Sequence, residues 1–193
     1  HVLSDLDGHV DVILDGGPTA IGVESTVLDL TIDPPLVLRP GGVTLEALRA
    51  CVPTVERFSA PLAMDDETAR PASPGMLSKH YSPRAPVLLF SGPFEAVTQH
   101  MRQVIAERRR AGQRVGLLVP GDQRDLFQDF DTPLADLGRD LDGMAHGLFA
   151  GMRALDAQEV DVILARLVDS SGLGATINDR LLRAAEGRVI EVE

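Results

Sequence analysis

A chain of 193 residues with 44% hydrophobic side chains has enough apolar material for one large core or two small ones. Its net charge of -11 removes the basic face that generic nucleic-acid binding requires, and no run approaches the roughly 20 apolar residues of a membrane-spanning helix. The single cysteine, Cys51, excludes an internal disulfide framework and a cysteine-rich zinc site and fits a reducing cytosol, so we expect a cytoplasmic protein with no direct nucleic-acid or membrane contact.

His1-Val2-Leu3-Ser4-Asp5 lacks a cationic region followed by an apolar block, so export is not indicated. The first residue is not methionine and the chain opens on what reads as the interior of a folded unit; an N-terminal truncation is the expectation. Residues 2–6 read as a helical fragment, Asp7-Gly8 as a turn, and Val10-Asp11-Val12-Ile13-Leu14 as a β-branched strand stopped by Asp15-Gly16-Gly17-Pro18. A second strand is expected over 23–30, with hydroxyls at Ser25 and Thr26, and a third over Leu36-Val37-Leu38-Arg39, closed by Pro40-Gly41-Gly42. Thr44 caps a helix over 45–50, with Glu46 in its first turn. Ser25, Thr26 and Arg39 thus fall near strand ends, where compact hydroxyl donors and a planar guanidinium fork can together hold a carboxylate or phosphate.

Residues 53–85 carry five prolines and little apolar periodicity, too long for an idle loop inside one compact domain. Within them Ser73 to Pro83 holds the only lysine, Lys79, and the only tyrosine, Tyr81, with His80 between them. Pro74 and Pro83 keep that backbone extended, and a cation, an imidazole and a phenol side by side suit an anionic or nucleotide ligand. A solvated linker is the competing reading.

From Ala85 strands alternate with helices: strands over 87–90, 115–119, 134–137, 160–164 and 189–192, helices from Pro93 to the cationic Arg108-Arg109-Arg110, over 142–157 and over 178–185. Such alternation predicts a small, mostly parallel, Rossmann-like sheet with helices on both faces. The Ser170-to-Arg180 stretch joins strand to helix through Gly172-Leu173-Gly174, but it is neither GxGxxG nor a P-loop and reads as a packing turn before a phosphate site.

Four motifs in order, Gly22-Val23-Glu24-Ser25-Thr26-Val27-Leu28-Asp29-Leu30, Leu38-Arg39-Pro40-Gly41, Ser73-Pro74-Gly75-Met76 and His80-Tyr81-Ser82-Pro83, resemble the C-terminal part of the Sua5/YrdC family in its two-domain form. The resemblance covers essentially the whole chain. It implies an α/β protein in which 1–53 is the C-terminal part of a YrdC-like domain, 54–85 a linker folding back over the active site, and 86–193 the Sua5 domain.

The resemblance also implies a reaction: L-threonine, bicarbonate and ATP give threonylcarbamoyl-adenylate and pyrophosphate, feeding the transferase machinery that modifies adenosine 37 of tRNA. By motif position Ser25 would bind L-threonine, Arg39 and Tyr81 would contact ATP, and Thr26 and His80 would support them, with Mg2+ arriving on the ATP. The family's lysine-x-arginine and serine-x-asparagine motifs belong upstream of His1 and have no counterpart here, so this segment is expected to be inactive alone. The alternative is a non-catalytic nucleotide-binding or regulatory module with its ligand at the Gly172–Gly174 turn, or a scaffold with no ligand.

Overall fold

The structure, a computed structural model, describes residues 2–58 and 82–193. A short helix α1, Val2–Leu6, comes first, followed by turns and irregular chain up to residue 26. The run Val10–Leu14, expected as a strand, pairs with no neighbour among the described residues, and Val12 and Leu14 are 72% and 90% exposed. Branched side chains favour extended backbone, but a ladder also needs an adjacent edge to receive its amides and carbonyls.

The first sheet is small. Strand β1, Val27–Asp29, runs antiparallel to β2, Leu36–Arg39, with Val27 opposite Arg39. The polar residues Ser25 and Thr26 precede β1, so the strand is shorter than the expected 23–30. Helix α2, Leu45–Cys51, starts where the Thr44 hydroxyl accepts the Ala47 amide at 3.2 Å, the expected cap. A third strand, β3, Glu56–Arg57, lies parallel to β2 and was not expected, because two exposed charged residues carry no strand pattern. Its position is set by the backbone, Glu56 N–H to Pro35 O at 2.9 Å and Phe58 N–H to Val37 O at 3.0 Å.

The second unit follows its expected alternation closely. Strand β4, Val87–Ser91, leads to α3, Phe94–Arg110, and β5, Val115–Val119. A 3-10 helix over Gly121–Phe127 then precedes β6, Leu134–Asp136, α4, Leu141–Asp156, and β7, Val162–Arg166. Helix α5, Gly174–Ala184, and β8, Val189–Glu191, complete it. The five strands lie in the order β6-β5-β7-β4-β8, and every pairing is parallel. This is the mostly parallel α/β sheet expected.

Side-chain alternation sorts the core into two faces. Leu89, Leu118, Ile163 and Ala165 pack with Leu148, Leu155, Ile177 and Leu181 of α4 and α5. Phe90, Leu117, Val162 and Leu164 pack with Val97, Met101 and Ile105 of α3. Strand β7 starts two residues later than expected because Asp161 is spent as a clasp: its carboxylate accepts the Arg114 amide at 2.6 Å and its amide reaches Arg114 O.

Helix α5 begins four residues before the expected 178, absorbing Gly174. A Cβ on Gly174 would sit 1.8 Å from the Asp169 carbonyl oxygen, whereas one on Gly172 would meet nothing within 4 Å. Gly172 is needed only for its φ of +53°. Gly172→Ala should therefore cost about 1 kcal/mol, and Gly174→Ala at least 1–3 kcal/mol by overpacking. Equilibrium urea unfolding of the two variants measures the difference; equal losses would contradict the packing assignment.

Candidate active site

The sequence-predicted residues Ser25, Thr26 and Arg39 come together where β1 begins and β2 ends. The Arg39 guanidinium forks onto one acceptor, with Nε and Nη2 donating to the Ser25 carbonyl at 3.1 and 3.0 Å. That fork fixes the backbone of Ser25, whose side chain is exposed. Thr26 does something different. Its hydroxyl donates to Val43 O at 2.6 Å and accepts the Val43 amide at 3.0 Å, so it ties the strand to the loop after β2. Tyr81, His80 and Lys79 lie outside the described residues.

The Pro40-Gly41-Gly42 loop lies backbone to backbone against Glu24-Ser25-Thr26. A Cβ on Gly41 would sit 2.3 Å from both Glu24 O and Thr26 N, so a side chain cannot be accommodated there. Gly42 N–H closes the contact on Glu24 O at 3.1 Å.

Helix α5 holds this loop from behind, through residues that the sequence reading did not single out. Arg180 is 0% exposed and donates from Nε to Glu24 Oε2 at 2.8 Å and from Nη2 to the Pro40 carbonyl at 3.1 Å. Its Nη1 pairs with Asp179, which also receives Arg183 Nε at 3.0 Å. One turn back, the Thr176 hydroxyl donates to Gly41 O at 3.0 Å. A charged residue at 180 reads as solvated on composition alone, yet it shares the helix face of Ile177 and Ala184, and that spacing was the available signal. Glu24 had none beyond its place beside Ser25.

Two further contacts complete the seam. Gly22, with φ +82°, abuts α4 so closely that a Cβ would lie 2.4 Å from His146 Cα. The Glu46 carboxylate accepts the Gly172 amide at 3.3 Å, and bonds from its own amide and then from Gly172 hold its pKa below the ordinary glutamate range. The amide at the Gly172–Gly174 turn is therefore already engaged by a carboxylate of the chain.

Residues 82–85 are clamped to the same two helices. The Asp156 carboxylate accepts the amides of Arg84 and Ala85 at 2.9 and 3.2 Å, and the Ser82 hydroxyl approaches Arg183 O at 3.5 Å.

The chain matches two family models: one described as threonylcarbamoyl-AMP synthase, C-terminal domain, over residues 43–186, and one described as telomere recombination over residues 1–41. It is 38% identical over 190 residues to a Bacillus subtilis protein named threonylcarbamoyl-AMP synthase, covering 98% of this chain and 53% of that one. A Pyrococcus abyssi protein of the same name is 38% identical over 194 residues, covering 100% and 54%. The crystal structure of P. abyssi Sua5 complexed with L-threonine superposes with a TM-score of 0.86 at 36% identity, over 100% of this chain and 54% of that one. The chain spans about half the length of the curated relatives it matches.

Arg180 supplies the test of this seam. Removing Arg180 takes the partner from Glu24, which is 28% exposed, while Asp179 keeps Arg183, so Arg180→Met should lower stability by about 3 kcal/mol, the low end for breaking a buried pair. It should also broaden the amide resonances of Glu24 to Gly42. Denaturant unfolding and 15N spectra read both; a loss within 0.5 kcal/mol, the range of ordinary surface substitutions, would show that the arginine holds nothing.

Proposed function

The chain belongs to the family of the threonylcarbamoyl-AMP synthase C-terminal domain, and from that premise we propose that, joined to the motifs the resemblance places ahead of His1, it forms the synthase active site. The reaction condenses L-threonine, bicarbonate and ATP into threonylcarbamoyl-adenylate and pyrophosphate. The observation that carries this reading is the convergence of Ser25 and Arg39 on one pair of loops, in a chain that superposes on an L-threonine complex.

In this reading the exposed Ser25 hydroxyl takes the threonine and Arg39 takes the nucleotide while holding the Ser25 backbone. Thr26 contributes by fixing the loop. Tyr81, supported by His80, reaches the ATP from the linker. Mg2+ comes with the triphosphate as part of the substrate. Catalysis then rests on positioning and charge stabilisation, since the adenylation needs no nucleophilic side chain. We place residues 1–53 in the substrate-binding domain, 54–85 in the linker and 86–193 in the Sua5 domain. The protein works in the cytosol and delivers its product to the tRNA-modifying transferase without itself holding tRNA.

The competing module, with a ligand at Gly172–Gly174, is disfavoured by the Glu46 contact and by the packing of Gly174.

In a synthase carrying both halves, Ser25→Ala should raise the threonine KM about tenfold, the worth of one hydrogen bond of about 1.4 kcal/mol, with stability unchanged. An unaltered KM would remove Ser25 from the threonine site. The 193-residue chain alone should release no pyrophosphate with ATP and threonine, and robust turnover would refute that expectation.

A further inference from the structure

In a parallel α/β sheet, ligands favour the crevice between adjacent strands whose connections leave for opposite faces. Strands β4 and β7 are such a pair. They are neighbours, β4 feeds α3 on one face, and β7 feeds α5 on the other.

At their carboxyl ends the ladder stops early. Leu167 N–H reaches Phe90 O at 2.9 Å, but among the described residues the next rung, from the Gly92 amide to Leu167 O, is not made. Leu167 O is met instead by Arg166 Nε at 3.5 Å, a weak contact. The strands thereby part over a cavity of about 220 Å³ lined by Ser91, Gly92, Arg166, Leu167, Val168 and Asp169, among others. Gly92 is fixed there by the chain itself, because a Cβ would fall 2.1 Å from Val192 O.

Arg166 is the chemically unusual residue in this cavity. It continues the alternation of Val162 and Leu164, so its guanidinium lies on the α3 face, 4.7 Å over the Phe94 ring. It forms no ion pair among the described residues. Its Nη1 is sealed from solvent and has no hydrogen-bond partner there, a deficit that buried donors seldom carry. Burial pulls its pKa below the ordinary arginine range, opposed by the field of Asp122. The nearby Asp169 carboxylate does not neutralise it, being turned back to accept the Ser171 amide at 2.9 Å.

The geometry points to a second ligand site in this crevice, binding one small oxyanion, phosphate or carboxylate, between the Arg166 guanidinium and the Gly92 amide. A guanidinium and a backbone N–H that has no partner among the described residues, lining one cavity, are complementary to such a group. A cavity of about 220 Å³ admits a phosphate or a short carboxylic acid. The site lies on the α/β domain and does not depend on the synthase reading.

The test is a titration of the 15N-labelled chain with inorganic phosphate, pyrophosphate and acetate in turn, each to about 10 mM, which covers dissociation constants in the millimolar range. Saturable shifts at Ser91, Gly92 and Leu167 to Asp169 are expected, and the anion that acts at the lower concentration identifies the phosphate or carboxylate source. Arg166→Met should weaken the effect at least tenfold and Arg166→Lys less. Absence of shifts at these amides with all three anions, or shifts that Arg166→Met leaves intact, overturns the site. The wild-type titration decides the first outcome even if the methionine variant fails to fold. Shifts at Ser25 and Arg39 report the other pocket separately, so either assignment can fail alone.

Discussion

A single guanidinium, taken wholly out of water, joins the two halves of this molecule. Arg180 projects from the middle of α5 and finds Glu24, Asp179 and the carbonyl of Pro40 around it. A buried charge is tolerable only when its donors are met, so the fork dictates where the Glu24-Ser25-Thr26 segment and the Pro40-Gly41-Gly42 loop must sit. The positions of Ser25 and Arg39 follow from that, and so does the close backbone contact at Gly41. The α/β domain thus braces the candidate site from behind, through Arg180 and Thr176.

The seam adds directional polar contacts to the apolar packing of Val23 against the α/β core. Thr176 to Gly41 and Glu46 to Gly172 are directional contacts, and each fails if the two surfaces slide by an ångström or two. Apolar surfaces would give adhesion with less preference among nearby arrangements. Hydrogen bonds between defined atoms select one, and so fix the loops that carry Ser25 and Arg39.

Much of the α/β domain was legible because a sheet covered on both faces needs short continuous apolar strands and its helices need one apolar stripe. Val115 to Val119, buried at every position, and Leu141 to Asp156, buried at Met144, Leu148, Met152 and Leu155, show the two patterns. The first sheet was harder. Val10 to Leu14 has the composition of a strand without an adjacent edge among the described residues, while Glu56-Arg57 has the edge without the composition. Ser25 and Arg39 were visible as candidate donors near strand ends, but nothing local revealed that the arginine grips the serine's carbonyl. Arg180 and Glu24 are 156 positions apart, and a pairing across that separation leaves no mark in either neighbourhood.

The Asp156 clamp on the amides of Arg84 and Ala85 has a counterpart at Phe58, whose amide is held by Val37. The first sheet and the α/β domain thus each hold the chain by main-chain amides at their adjoining ends. The Asp156 carboxylate sets the point at which the chain enters β4, so a change in the last turn of α4 is felt at the first strand of the parallel sheet.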